Sequence, residues 1–306
     1  MRQIILALSF LFLLSSCKQE TTSVDTAQVN NTTNNSYQIA LSAITSDPNK
    51  TTIQKFMAET RKALSMTTDK AEIEKYLSKG LEVAETNKMG SSAIGFLMAL
   101  LKEYPKTNTA TNIAKLASAL QDVGQTIPGD ILIESYLSKY PNGEFAETLQ
   151  KKQKNKIADF DKYIKGLAEK VFVDPDKHGI NKIATQQYVD ACEAYVMGNP
   201  TSEKAPEYLY RASEMARTLK TYPKALSIYD WIESKYPNYA KTPTVVFLKG
   251  FMLENEMNNK EMARVVYQDF LKKYSSSPLV DDVKFLLDNI DKSDEEIMKI
   301  IESNKK

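Results

Sequence analysis

Two cysteines and one histidine, Cys17, Cys192 and His178, are the residues of this 306-residue chain best suited to nucleophilic or soft-metal chemistry near neutral pH. Two thiols cannot build a disulfide framework or a cysteine zinc site, which needs three or four convergent ligands. One histidine leaves His-rich metal centres and a serine–histidine–aspartate triad without their parts. His178 lies in the polar run Val173–Gly179 and reads as a solvated side chain. Cys192, among Ala191, Ala194 and Tyr195 on a helical pattern, reads as a small core residue. Gly90 and Gly95 fit neither the phosphate-loop nor the dinucleotide spacing. The acidic pairs Asp281-Asp282 and Glu295-Glu296 fall near expected helix starts, where the helix dipole accounts for them without calcium or catalysis. No enzyme constellation emerges, and no cofactor or metal is expected.

Cys17 has a different setting. Met1-Arg2 supplies a short positive start, and Ile4 to Leu14 is an almost unbroken apolar run. That run is shorter than the ~20 residues a bilayer span needs and has the layout of a secretory signal. Leu14, Ser15 and Ser16 then lead directly into Cys17. The segment resembles a bacterial lipoprotein signal, in which a dedicated peptidase cuts before a cysteine already carrying diacylglycerol. The resemblance implies that residues 1–16 are removed and that Cys17 becomes a lipidated N-terminus on a membrane, facing away from the cytosol. In such lipoproteins an Asp after the cysteine is associated with inner-membrane retention. Lys18 stands there, which favours the outer membrane facing the periplasm. Lys18-Gln19-Glu20 leaves the cell surface as the alternative.

Positive and negative charge nearly balance, with 40 Lys+Arg against 39 Asp+Glu. Loss of Arg2 with the signal makes the balance even, so electrostatics gives no reason to expect nucleic acid or an anionic surface as the main partner. No other stretch is apolar for long enough to span a membrane, so attachment rests on Cys17. Residues 17–36, rich in Thr, Asn and Gln, hold no apolar period and read as a flexible linker of roughly 25 Å typical reach.

From Tyr37 onward the pattern is helical throughout. Ala71-Ile73-Tyr76-Leu77-Leu81-Ala84 and Ala225-Ile228-Tyr229-Ile232-Tyr236 carry apolar residues at helical spacing. The second-helix segments align on their stops. Ala93, Leu97 and Pro105 recur as Gly129, Ile133 and Pro141, then as Ala225, Tyr229 and Pro237. Ala263 and Tyr267 repeat the spacing with Ser275 in place of proline, and Tyr188, Cys192 and Pro200 form a weaker copy. The stops lie 36, 59, 37 and 38 residues apart, and the long interval fits one repeat with about 22 residues inserted. In each copy the small residue permits close helix approach and the large one fills the groove between hairpins. Proline then forces the turn. Partner helices are expected over 69–85, 108–123, 206–219 and 243–255, with a further half-unit at 279–290.

These residues resemble the tetratricopeptide repeat (TPR) in a slightly long form. In that family the second helix carries a small residue, an aromatic four later and a closing proline. Ala225, Tyr229 and Pro237 match all three, and Gly250 is the clearest trace of the first-helix glycine. The first-helix Trp-Leu-Gly-Tyr signature is otherwise replaced, with Leu209, Ala212 and Ala216 as counterparts. The resemblance implies an all-α, TPR-like α-solenoid. N-terminal helices over 37–68 are expected to precede repeats over 69–156 and 181–291, with an inserted helix and loop over 157–180. A capping helix over 292–306 closes the chain. The loop of that insertion, Val173–Gly179, reads as a connector or a recognition element.

Three functions follow in order. A membrane-anchored, non-enzymatic scaffold would hold protein or peptide partners in the bacterial envelope, the membrane contact being the lipid on Cys17. A lipoprotein that captures glycan or nutrient for uptake is the alternative, although a sugar platform wants several exposed aromatics and Trp231 is the single tryptophan. A hydrolase ranks last for want of candidate residues.

Overall fold

The computed structural model describes residues 26–172 and 179–303, and every regular element among them is a helix. The chain forms two compact units that meet in sequence at Tyr208 and Leu209. The first contains α1 (Thr26–Ser46), α2 (Lys50–Met66), α3 (Lys70–Thr86), α4 (Gly90–Glu103), α5 (Thr109–Asp122), α6 (Thr126–Lys139), α7 (Ala146–Lys152), α8 (Phe160–Val171) and α9 (Lys182–Gly198). Helix α10 (Ala205–Thr218) crosses the boundary, and the second unit continues with α11 (Tyr222–Lys235), α12 (Thr242–Asn255), α13 (Lys260–Lys273), α14 (Val280–Asn289) and α15 (Asp294–Ser303). No helix among the described residues is long and apolar enough to cross a membrane.

The hairpins repeat in backbone geometry as well as in sequence. Tyr104, Tyr140, Asn199, Tyr236 and Tyr274 each end a helix with φ between −124° and −135° and ψ between 42° and 60°. In all five the amide three residues on donates to that carbonyl at 2.9–3.1 Å. Proline follows four of them and drives the preceding residue out of the helical region. Ser275 follows Tyr274 in the same turn, so the geometry does not depend on proline alone.

The turns inside the hairpins recur too. Lys88, Gly124, Lys220 and Asn258 take positive φ, at 55°, 79°, 58° and 51°. After the first three, the next amide reaches back to the fifth carbonyl before it, at 2.8–2.9 Å, which closes the helix end. Only one of the four is glycine, and a left-handed lysine costs roughly 1–2 kcal/mol, so hairpin packing must hold Lys88 and Lys220 there.

In the first unit each of α1 to α6 packs on the next, and α9 lies beside α6 although 42 residues separate them. Gly198 makes that approach possible: a Cβ there would stand 2.5 Å from Ser135 Oγ. Two carboxylates on α6 fasten the connecting chain. Asp130 accepts from the amides of Lys154 and Asn155 at 2.9 Å, and Glu134 accepts from the amide of Ile157 at 3.0 Å. Helix α8 covers residues 160–171 of the expected insertion and packs on α9, while residues 173–178 of its loop lie outside the described residues.

One boundary differs from expectation. The linker assigned to 17–36 gives way to α1 at Thr26. Tyr37, Ala40 and Ile44 are buried and fix the C-terminal half of α1. Each further turn toward the N-terminus then needs only propagation, which polar Thr and Asn tolerate.

Candidate functional site

The repeat positions pack as one set within each hairpin. Ala93 and Leu97 are buried on α4, Ala225 and Tyr229 on α11, and Ala263 and Tyr267 on α13. Gly250 of α12 faces the Tyr267 ring, and a Cβ there would sit 2.4 Å from Cε1. The Tyr229 hydroxyl donates to Glu214 of α10 at 3.2 Å, and the Tyr267 hydroxyl donates to Glu254 of α12 at 2.8 Å. Burial, then the neighbouring carboxylate, pushes both phenols well above their usual range. Pro141 and Pro237 are exposed at their turns and Pro105 is half-buried. Trp231, whose face the sequence left open, is buried on α11. Leu14, Ser15, Ser16, Cys17 and His178 lie outside the described residues.

One opening in the second unit lies between α12 and the α13–α14 turn. It is a cleft of about 580 Å³. Pro243, Phe247, Leu248 and Leu279 give it an apolar floor, and Thr244 and Ser275–Ser277 supply hydroxyls at its rim. The turn itself is firm, since the Ser277 amide donates to the Tyr274 carbonyl at 2.9 Å and Ser277 Oγ accepts from the Leu279 amide at 3.3 Å. Phe247 and Phe251, one helical turn apart, extend the half-buried apolar strip along α12 with ring centroids 6.2 Å apart. Arg217 of α10 lies over the Phe251 ring at 5.9 Å and also binds Glu256.

A charge network stiffens one wall. Lys249 Nζ stands 2.6 Å from Asp230 and 3.3 Å from Glu233, and Glu233 also binds Lys273 at 2.8 Å. Burial alone would raise Glu233, but the Lys249 and Lys273 ammonium groups outweigh it and hold the carboxyl below its usual range. Burial likewise opposes the charge on Lys249, and Asp230 and Glu233 reverse that, leaving it raised. Lys273, which lines the cleft, is raised by its bond to Glu233. These lysines are held as cations.

No carboxylate, thiol or imidazole lines the cleft, and no group of three or more His, Cys, Asp or Glu among the described residues converges as a metal site. An apolar floor with a hydroxyl rim suits the seating of a partner's side chain, with hydrogen bonds left for its backbone. The sequence pattern did not reveal this cleft, because it is built from a turn and a helix 26 or more residues apart. A signal was present in Lys249, a charge inside the apolar run Val245–Leu253.

Comparison with protein-family models and with curated proteins finds no match to this chain.

Proposed function

We infer that this chain is a membrane-anchored scaffold of TPR-like hairpins, stacked as an α-solenoid, that holds protein or peptide partners in the bacterial cell envelope without catalysing a reaction. Lipid on Cys17 confines it, on the outer membrane facing the periplasm or on the cell surface. The observation that carries the reading is the recurrence, every 36–38 residues outside the insertion, of one hairpin with one set of turns. Repeats of that kind bury a shared spine and present an extended surface to partners. The cleft on α12 supplies a specific seat, with aromatic anchors beside polar groups as in the energetic centre of protein interfaces.

Site-specific photo-crosslinking in cells tests the reading. A photoreactive residue at Thr244 or Leu248 is expected to trap the same partner at both positions, whereas Val265, exposed on the outside of α13, is expected to trap none. Recovery of the bait alone from both cleft positions, across growth conditions, would remove the support for a scaffold.

A further inference from the structure

One turn departs from the repeat in sequence but not in shape. Pro105, Pro141, Pro200 and Pro237 each follow a helix-ending residue, whereas Ser275 follows Tyr274 in a turn of the same geometry. What serine changes is the supply of donors. Proline has no amide hydrogen, while Ser275 carries an N–H and a hydroxyl, and Ser276 repeats both. None of these four groups makes a hydrogen bond within the described residues. Ser277, by contrast, is used by the turn, its amide on Tyr274 and its Oγ on Leu279.

Ser275 and Ser276 are exposed and line the cleft against α12. Lys273 lines it beside them and is the single charged side chain that does. Its ammonium gives one bond to Glu233 at 2.8 Å, which leaves two of its three hydrogens. Lys272 and Lys273 stand in the last turn of α13 and offset the negative end of its dipole. Asp281 and Asp282, on the first turn of α14, are exposed and lie outside the lining. The rim thus offers donors and a cation, with no carboxylate to answer them, above the floor of Pro243, Phe247, Leu248 and Leu279. Consecutive free amides beside an ammonium suit an anionic oxygen, which they hold by charge-assisted hydrogen bonds. Past the cleft, the half-buried strip from Phe247 to Phe251 runs on along α12, so a chain seated there has a surface on which to continue.

We propose that the cleft selects an acidic partner segment, whose apolar side chain fills the floor while the side-chain carboxylate of an adjacent Asp or Glu is held by Ser275, Ser276 and Lys273. This rests on the reading of the cleft as a partner's seat and adds what the seat selects.

Saturation-transfer NMR titrations on the full chain test it with blocked dipeptides, whose only carboxylate is a side chain. Acetyl-Phe-Glu-amide is expected to bind about five-fold more tightly than acetyl-Phe-Gln-amide, the margin of a charged over a neutral acceptor. Ser275→Pro restores the residue of the four sister turns and should fold as the natural chain does. It is expected to cut that margin to about two-fold or less, because an amide and a hydroxyl are lost, and to leave the Gln probe unchanged. Leu248→Ala, on the floor, should weaken both probes alike. Acetyl-phenylalanine, with its carboxylate at the chain end, is expected to show no advantage over the Gln probe. Equal binding of the Glu and Gln probes, or a full margin in Ser275→Pro, overturns the proposal and leaves the seat in place. Preference for acetyl-phenylalanine overturns it as well, since the cleft then reads a chain terminus. If no probe binds, the selection of an acidic segment falls, and the crosslinks at Thr244 and Leu248 decide separately whether the seat falls with it.

Discussion

A Cβ on Gly250 would stand 2.4 Å from Cε1 and 2.8 Å from Cδ1 of Tyr267, closer than real contacts allow. Tyr267 is fully buried and tied through its hydroxyl to Glu254, so its ring has nowhere to go. Gly250→Ala is therefore expected to destabilise the second unit by about 1–3 kcal/mol through overpacking, despite alanine's better helix propensity. Thermal unfolding followed by Trp231 fluorescence reads this directly, since Trp231 is buried in that unit. Gly90→Ala is the control: nothing lies within 4 Å of its Cβ, and stability is expected to stay level or rise slightly. Gly250 was legible in the sequence because the repeat sets a small residue against a large one. The Tyr267–Glu254 bond was not legible, because periodicity places a ring in the core without saying which carboxylate meets its hydroxyl.

Helices α4 and α9 are joined across the insertion by a buried ion pair, Lys102 Nζ to Glu193 Oε1 at 2.8 Å, with side chains 6% and 1% exposed. A buried pair contributes little net stability, but removing one partner leaves the other charge buried with one bond fewer. Lys102→Met is expected to cost the first unit about 3–5 kcal/mol, while Lys102→Met combined with Glu193→Met recovers most of that loss. Far-UV circular dichroism in urea checks both, and a double variant as unstable as the single one would contradict the assignment. Helix positions were largely readable beforehand: Asp69 and Asn108, the expected starts of two helices, stand at the N-caps of α3 and α5. What escaped were the ties between elements distant in sequence. Asp130 and Glu134, whose acceptor bonds hold residues 154–157 on α6, appear in sequence only as acidic residues in the apolar run Ile127–Glu134. A charge in such a run marks a specific partner but cannot name one 23 or more residues away. The N-terminal reach of α1 escaped for another reason, since propagation of a helix into Thr and Asn leaves no periodic trace.

Across the whole chain, one hairpin design recurs on both sides of the break between units, and the insertion departs from it without disturbing the turns that flank it. Tyr140 before the insertion and Asn199 after it end their helices with the same backbone geometry. The proposed role depends on where the hairpins are held and what they hold there. Cys17 carries the first half of that proposal. Metabolic labelling with an alkyne fatty acid, followed by membrane fractionation, compares the natural chain with Cys17→Ala. The natural chain is expected to take up label and sediment with membranes, and Cys17→Ala to lose the label and become soluble or accumulate as an unprocessed precursor. Label retained on Cys17→Ala, or none on the natural chain, would contradict the anchored scaffold at its base.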